Sequence, residues 1–515
     1  MKYSIPSFDK NSKLLTSFIA TVYMIIMFGI YPFYLKEGYV GAGSSKYRFF
    51  LYSSIGAVLL LLLTGLIELI KSFNQFSATD VFVMGFVAIS LVSYFGSPFR
   101  MASFLGADGW FMGLLTILLM CMVYVLISRL WELEAIVFYV CLIAAAVVYI
   151  IGILDRFSLY IIPYAVRNPS FISTIGNINW FMGYFSVITP IGVGLFLYEL
   201  KEGHSIRRKY LLLAFVFIAF MAGFAQGSES IFLFLAALYT GLLFLCFKDI
   251  LNLSDVFLLV GMMGIVAQII RIMRLLYPEG YNYQTDGPCA FFTGSNISLY
   301  IAVCALIIWQ LLQRYSRLSR LNKSFIIVIW GLLVVAFFAF LIIGVLKTNT
   351  DIISGFDSSI FYFDERFGSD RGVAYKVSIG ALRDMSIYQR LFGVGPDAFV
   401  EYVYSIPNLA DYLTGIWPNQ PLTNAHCEML NMLINEGIAG LILYLGIFIS
   451  FLICTIRESI TKLAKSGNIG AVLKLCISLS IFCYLVHNLI SFGQVMSTPY
   501  IFILMGICRA IDINN

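Results

Sequence analysis

From Phe325 to Leu346 the chain reads FIIVIWGLLVVAFFAFLIIGVL, 22 residues without a charge. A helix rising 1.5 Å per residue carries such a run across the ~30 Å hydrocarbon core of a bilayer. Fourteen runs of this kind can be read along the 515 residues. They are Leu14–Leu35, Phe49–Ile70, Val81–Gly96, Trp110–Ile127, Ala135–Leu154, Trp180–Leu200 and Tyr210–Ala225, followed by Ser230–Phe247, Val256–Ile272, Ser295–Leu312, Phe325–Leu346, Met429–Ile456, Ala471–Ile490 and Phe492–Cys508. Backbone N–H and C=O groups in lipid need partners within their own segment, so each run is expected to be a helix. Charged residues make up only 12% of the chain, about half the usual share of a soluble domain. The expected fold is an all-α polytopic membrane protein with about 14 transmembrane helices. It would comprise a bundle over 1–346, a large loop over 347–428 and a second bundle over 429–515.

Charge sets the expected orientation. With the N-terminus inside, 19 of the 33 basic residues fall on the cytoplasmic side. Eight lie in short outer loops, and six in the long loop after Leu346, which the positive-inside rule does not weigh. Both termini are then cytoplasmic and the long loop faces out. The basic residues sit in short inter-helix loops, so the net charge of +5 gives no reason to invoke nucleic acid. The ten cysteines lie mostly within apolar runs, without CxxC or Cys/His spacing, and read as small buried hydrophobes. The first apolar run, of about 22 residues, is too long for the h-region of a signal peptide.

A connection of about 80 residues inside a compact membrane protein is usually functional. Val373, Val377, Gly380, Ala381 and Met385 recur on one helical face, ahead of a turn from Phe392 to Pro396. Two or three short helices on the outer surface are expected there. His426 closes the loop; the other histidines are His204, in a basic inner loop, and His487, near the outer end of the thirteenth run. With Thr423 or Asn424 as N-cap, His426 would stand in the first helical turn, where free N–H groups favour an anion. Glu428, two residues on, would then point to a different face.

Outward arginines are the second signal: Arg100, Arg156, Arg167, Arg271, Arg274, Arg366, Arg371, Arg383 and Arg390. Snorkelling toward lipid headgroups accounts for any one of them, but the group is harder to explain on the side that disfavours basic residues. Arg271 and Arg274 are spaced i, i+3 and share a helix face. Arginine suits bidentate phosphate contact. No cluster of carboxylates and histidine suggests a metal, and no P-loop, GxGxxG or GxSxG appears.

Three segments together resemble a known family. RGVAYK from Arg371, FGVGPDAF from Phe392 and NAHCEMLNMLINEGIAGLILYL from Asn424 look like the Wzy_C signature of the O-antigen ligase and polymerase superfamily. FISTIGNINWFMGY looks like that family's GN-x-N element, with Asn177 and Asn179 at the head of the sixth run. The chain departs from the family pattern at Tyr375, where tryptophan is common, and at Ser228-Glu229-Ser230 and Trp110, where arginines are common. The resemblance implies a metal- and cofactor-independent GT-C-like glycosyltransferase in the bacterial plasma membrane. Its donor would be a glycan on undecaprenyl diphosphate, and its acceptor a sugar hydroxyl on a second lipid-linked unit (polymerase) or another carrier (ligase, oligosaccharyltransferase). Membrane lipids and a chain-length regulator protein would be further partners. His426 would act as base or orient the acceptor. Arg371 and one of Arg271 and Arg274 would hold the diphosphate, with Arg167, Arg100, Glu428, Asn177 and Asn179 as further substrate contacts. A polysaccharide or lipid transporter is the competing class, disfavoured by the long outer loop, sparse mid-membrane charge and lack of an internal repeat.

Overall fold

The computed structural model describes residues 6–36, 38–39, 41–72, 75–164, 166–203, 205–282, 287–314, 319–350, 361–466 and 469–514. His204, residues 283–286 of the loop beyond Arg274, and 351–360 of the long loop lie outside them. In chain order the helices are α1 (Pro6–Ile25, continued by a π turn Ile26–Ile30 and a 3-10 turn Tyr31–Phe33), α2 (Ala42–Lys71), α3 (Ala78–Gly96), α4 (Arg100–Leu105), α5 (Leu114–Leu130), α6 (Ile136–Arg156) and α7 (Ile178–Glu202). There follow α8 (Ile206–Ala225), α9 (Ser230–Phe247), α10 (Leu253–Leu276), α11 (Pro288–Gly294), α12 (Ile297–Arg314), α13 (Ser319–Asn349), α14 (Phe367–Asp384), α15 (Ile387–Phe392), α16 (Phe399–Ser405) and α17 (Pro407–Ile416). The last are α18 (Glu428–Asn435), α19 (Gly437–Ser466), α20 (Ile469–His487) and α21 (Thr498–Asn514). A two-residue hairpin, β1 (Phe171–Ile172) with β2 (Gly176–Asn177), precedes α7.

Among the described residues twelve helices are long and apolar enough to cross a membrane. The chain is therefore an all-α multi-pass membrane protein, with twelve clear spans where composition suggests fourteen. The other two expected spans correspond to α5 and α21, of 17 residues each, which pack on one another. Each is about 25 Å long. They are shorter than composition suggests because Trp110–Gly113 and Phe492–Ser497 are apolar enough to read as helix but lie in irregular turns. Their backbone is partly paired across the fold, with Val495 N donating to Trp110 O at 3.1 Å.

The twelfth expected span, Met429–Ile456, is also interrupted. Its first seven residues fall in α18, and the helix restarts as α19 beyond Glu436, at Gly437 with φ +70°. The extra backbone groups of such a break are tolerated in a membrane protein when neighbouring protein satisfies them, as it does here.

Enclosure differs sharply between helices. α7 and α20 pack together at the centre, with 94% and 78% of their most apolar stretches buried, against 6% for α13, whose apolar residues face outward on nearly every side. Paired charges fasten the end that holds both termini. Asp80, in a capping box with Ser77 at the start of α3, accepts from Arg129 (2.9 Å) and Tyr124 (2.8 Å). Lys474, fully buried, pairs with Asp512 and with Glu458 (3.2 Å).

At the opposite end α14–α17 gather over the bundle, four helices where two or three are expected. Val373, Val377, Ala381 and Met385 are buried in a small core of their own with Phe399, Val403, Leu413 and Ile434. The apolar face read from the sequence is the face that packs, with Gly380 at its edge.

Candidate functional site

The turn between α15 and α16 is built against the break in α18–α19. Val394 N donates to Ile434 O (3.0 Å), Gly395 N to Asn435 O (3.1 Å), and Ser93 Oγ also donates to Asn435 O (2.8 Å). The last carbonyls of a helix have no partner within it, and here the loop supplies one. Gly395 has φ +126°, and a Cβ there would stand 2.2 Å from Ser103 Oγ. Asp397 extends the same turn: its Oδ2 accepts from Ala107 N (2.8 Å) and Met112 N (2.9 Å), gripping the loop before α5. Burial pushes its carboxyl up to about 7, against the opposing effect of those two amides.

His426 does not stand in the first turn of a helix. The N-cap is Cys427 and α18 begins at Glu428. Asn424 instead accepts from His426 N through Oδ1 (2.9 Å), closing a local turn that holds His426 at φ +49°. Helical spacing therefore does not separate His426 from Glu428, and both reach the same irregular segment between α20 and α21. The imidazole meets the Phe492 ring edge-on, centroids 5.7 Å apart, while Glu428 Oε2 accepts from Gly493 N (2.6 Å). Glu428 is buried, which raises its carboxyl pKa despite that bond.

Arg371 lies in the first half of α14. Gly372 lets the preceding chain press close: a Cβ there would meet Asp364 O at 1.8 Å. One turn along, Tyr375 Oη comes within 3.5 Å of His426 O. Arg371 Nη1 donates to Gly368 O (2.6 Å), while its buried Nε has no partner, and no carboxylate pairs with it among the described residues. Burial lowers its pKa. Burial, then the Arg371 charge, brings the His426 imidazole down to about 4, so it is neutral at pH 7. His487, the last residue of α20, has a buried Nε2 without a partner among the described residues.

A second polar group lies where α7, α9, α10 and α11 meet. Arg274 Nη1 donates to Thr293 Oγ1 on α11 (3.2 Å), and its guanidinium lies 4.6 Å over the Tyr281 ring. Arg271, on the same face of α10, donates to Asn296 and Gln268. Neither arginine forms an ion pair among the described residues. Glu229 holds the Cys289 amide at the head of α11 with both oxygens (3.0 and 3.2 Å), and burial raises it to about 7. Asn177 caps α7 by accepting from Asn179 N (2.8 Å), and Asn179 Oδ1 accepts from Ser228 Oγ (3.2 Å). Aromatic rings bridge the two groups: His426 touches Phe492, Phe492 touches Trp110 (4.8 Å), and Trp110 touches Trp180 (5.4 Å), next to Asn179.

The remaining arginines separate from this arrangement. Arg100 is exposed and donates only to Phe95 O (3.3 Å) among the described residues. Arg167 stacks 3.9 Å over Tyr160 and lies 4.0 Å from Asp155. No contact joins either of them to His426 among the described residues. Arg156, fully buried, donates to Ala225 O, Gln226 O, Pro169 O and Asn282 Oδ1. It works as a structural tie.

Sequence reasoning missed Phe492, placed inside a helix, and Glu229, passed over because it stands where the family pattern has an arginine. A glutamate between two serines at the head of an apolar run was the available signal. Among the described residues no group of three or more His, Cys, Asp or Glu side chains is arranged to hold a metal. No family model and no curated protein matches the chain.

Proposed function

We propose that the chain is a glycosyltransferase that polymerises oligosaccharide repeat units carried on undecaprenyl diphosphate, at the outer face of a bacterial plasma membrane. The observation that carries this reading is that α14, the helix bearing Arg371, reaches His426 one turn further along, where Tyr375 Oη lies 3.5 Å from His426 O. That helix holds a half-buried guanidinium with no carboxylate partner among the described residues, and its charge helps to keep the buried imidazole neutral at one end of a membrane bundle. A diphosphate leaving group gathers negative charge as the anomeric C–O bond breaks, and a fixed guanidinium stabilises that charge best where water is excluded. The attacking sugar hydroxyl loses its proton as its oxygen bonds to the anomeric carbon. His426, neutral and weakly basic, receives that proton late in the step. Arg274 and Arg271, likewise without acidic partners among the described residues, would bind phosphate or acceptor sugar across the aromatic bridge.

Purified protein supplied with a lipid-linked repeat unit tests the proposal. Glycans of two or more units and free undecaprenyl diphosphate should appear, and both should vanish with Arg371→Ala. A product on a different acceptor without lengthening would make the chain a ligase or oligosaccharyltransferase. Activity only in sealed vesicles, with the glycan unchanged, would make it a transporter.

A further inference from the structure

At the end of the bundle that holds both termini, a groove opens between α9, α13, α19 and α20. Its deep part has a volume of about 300 Å³ and is lined almost wholly by apolar side chains, among them Leu245, Trp330, Leu475 and Leu479. It shares Phe244, Leu452 and Ile456 with a second cavity of about 470 Å³, which continues to Lys248, Arg457 and Thr461 at the helix ends. The groove thus runs from hydrocarbon depth to a basic rim.

The charges at the rim are sorted. Asp249, beside Lys248, is taken by Lys323 (2.7 Å), and Glu458, beside Arg457, by Lys474 (3.2 Å). Lys248 and Arg457 are both exposed and have no carboxylate partner among the described residues. Lys248 Nζ lies over the rings of Phe244 (5.7 Å) and Phe247 (5.8 Å), at the lip of the groove. Trp330, in the wall, has a buried indole N–H without an acceptor among the described residues. An unpaired donor in apolar surroundings favours a ligand that brings a carbonyl oxygen. Water suits the deep part poorly, because its wall offers few polar partners.

We infer that this groove is a binding site for one anionic phospholipid of the leaflet at the terminus-bearing end. An acyl chain fills the apolar part, an ester carbonyl accepts from Trp330, and the phosphate meets Lys248 and Arg457. The site lies at the far end of the bundle from Arg371 and His426 and does not depend on the proposed transferase activity. Lipid facing a featureless helix surface would show no headgroup preference. The two unpaired cations beside carboxylates already engaged elsewhere are what select an anionic lipid.

The test is native mass spectrometry of the full chain released from nanodiscs of phosphatidylcholine containing one part in five phosphatidylglycerol. The wild type should retain one phosphatidylglycerol in preference to phosphatidylcholine. Lys248→Ala with Arg457→Ala, both at exposed positions, should lower that retention on the order of tenfold. Inorganic phosphate at millimolar concentration should not displace the lipid. Acyl-brominated phosphatidylglycerol should quench a fraction of the tryptophan emission that Trp330→Phe removes. Equal retention of both lipids, unchanged retention in the double variant, or a dimer without bound lipid would each overturn the inference. Displacement by free phosphate would do so too.

Discussion

The amide of Gly395 donates to the carbonyl of Asn435 at 3.1 Å, tying the turn of the long loop to the end of the half-helix that follows His426. The loop is thereby part of the membrane bundle, and the positions of Arg371 and His426 depend on this seam. Gly395→Ala should be costly, because its φ of +126° disfavours an L side chain and its Cβ would press on Ser103 Oγ and Ser97 Oγ at 2.2 and 2.5 Å. A loss of about 2–4 kcal/mol is expected, visible as a lower melting temperature in detergent. An unchanged melting temperature would show that the seam yields.

Arg156 and Arg274 should separate fold from function. Arg156→Ala strands two acceptors in the protein interior, Ala225 O and Gln226 O, and releases Pro169 O and Asn282 Oδ1 nearer the surface. Each orphaned group costs about 1–3 kcal/mol, so folded protein should be scarce. Arg274 gives one bond to Thr293 and a ring contact. Arg274→Ala should fold normally and lose transfer on the order of 10²-fold. Size-exclusion profiles and turnover of the two variants decide; matching defects would refute the distinction.

Much of this arrangement was legible in the sequence. Helical class followed from uncharged runs such as 325–346, because lipid leaves the backbone no other partner. The face of Val373, Val377, Ala381 and Met385 was legible too, because a short helix on a surface buries one stripe. The ends of helices were not. Phe492 and Trp110 are as hydrophobic as a span requires, yet they pack against each other across irregular turns. The break at Glu436 was hidden because its partners, Val394 and Gly395, lie about 40 positions earlier in the chain. Local spacing also misplaced His426, since Asn424 closes a turn there instead of capping the helix. Spacing and resemblance set Arg371 and Arg274 apart from Arg156 in the sequence, but the carbonyl partners that make Arg156 a structural tie are visible only in the fold.

Asp397 should give the fold a pH dependence of its own. Burial raises its carboxyl from 3.8 to about 7. Between those values the folded state holds a proton that the unfolded state has lost. Stability from this group is therefore present below about pH 4 and is lost as pH rises toward 7, by roughly 1 kcal/mol per unit. Asp397→Asn keeps an oxygen for Ala107 N and Met112 N without the charge. Melting temperatures taken from pH 4.5 to 8 should show the variant gaining on the wild type as pH rises. A constant difference would mean that the carboxyl titrates normally.

His426 makes the sharpest functional prediction. A histidine with its ordinary pKa of 6.5 would protonate between pH 7 and 6, and a transferase that needs it neutral would lose half its rate near 6.5. Burial and the Arg371 charge bring this imidazole to about 4. The rate should therefore stay level from pH 8 to about 5 and fall only below that. The same shift destabilises the fold as pH drops from 6.5 toward 4, because the unfolded chain takes up a proton that the folded site refuses. His426→Ala should lose transfer by 10²- to 10³-fold, on the order expected for a missing proton acceptor. Arg371→Gln removes the neighbouring charge, so the imidazole should titrate at higher pH than in the wild type. Nitrogen chemical shifts of labelled histidine, with His426→Ala to assign the signal, would record both midpoints. A wild-type midpoint near 6.5, or one that Arg371→Gln leaves in place, would break the proposed partnership of the two residues.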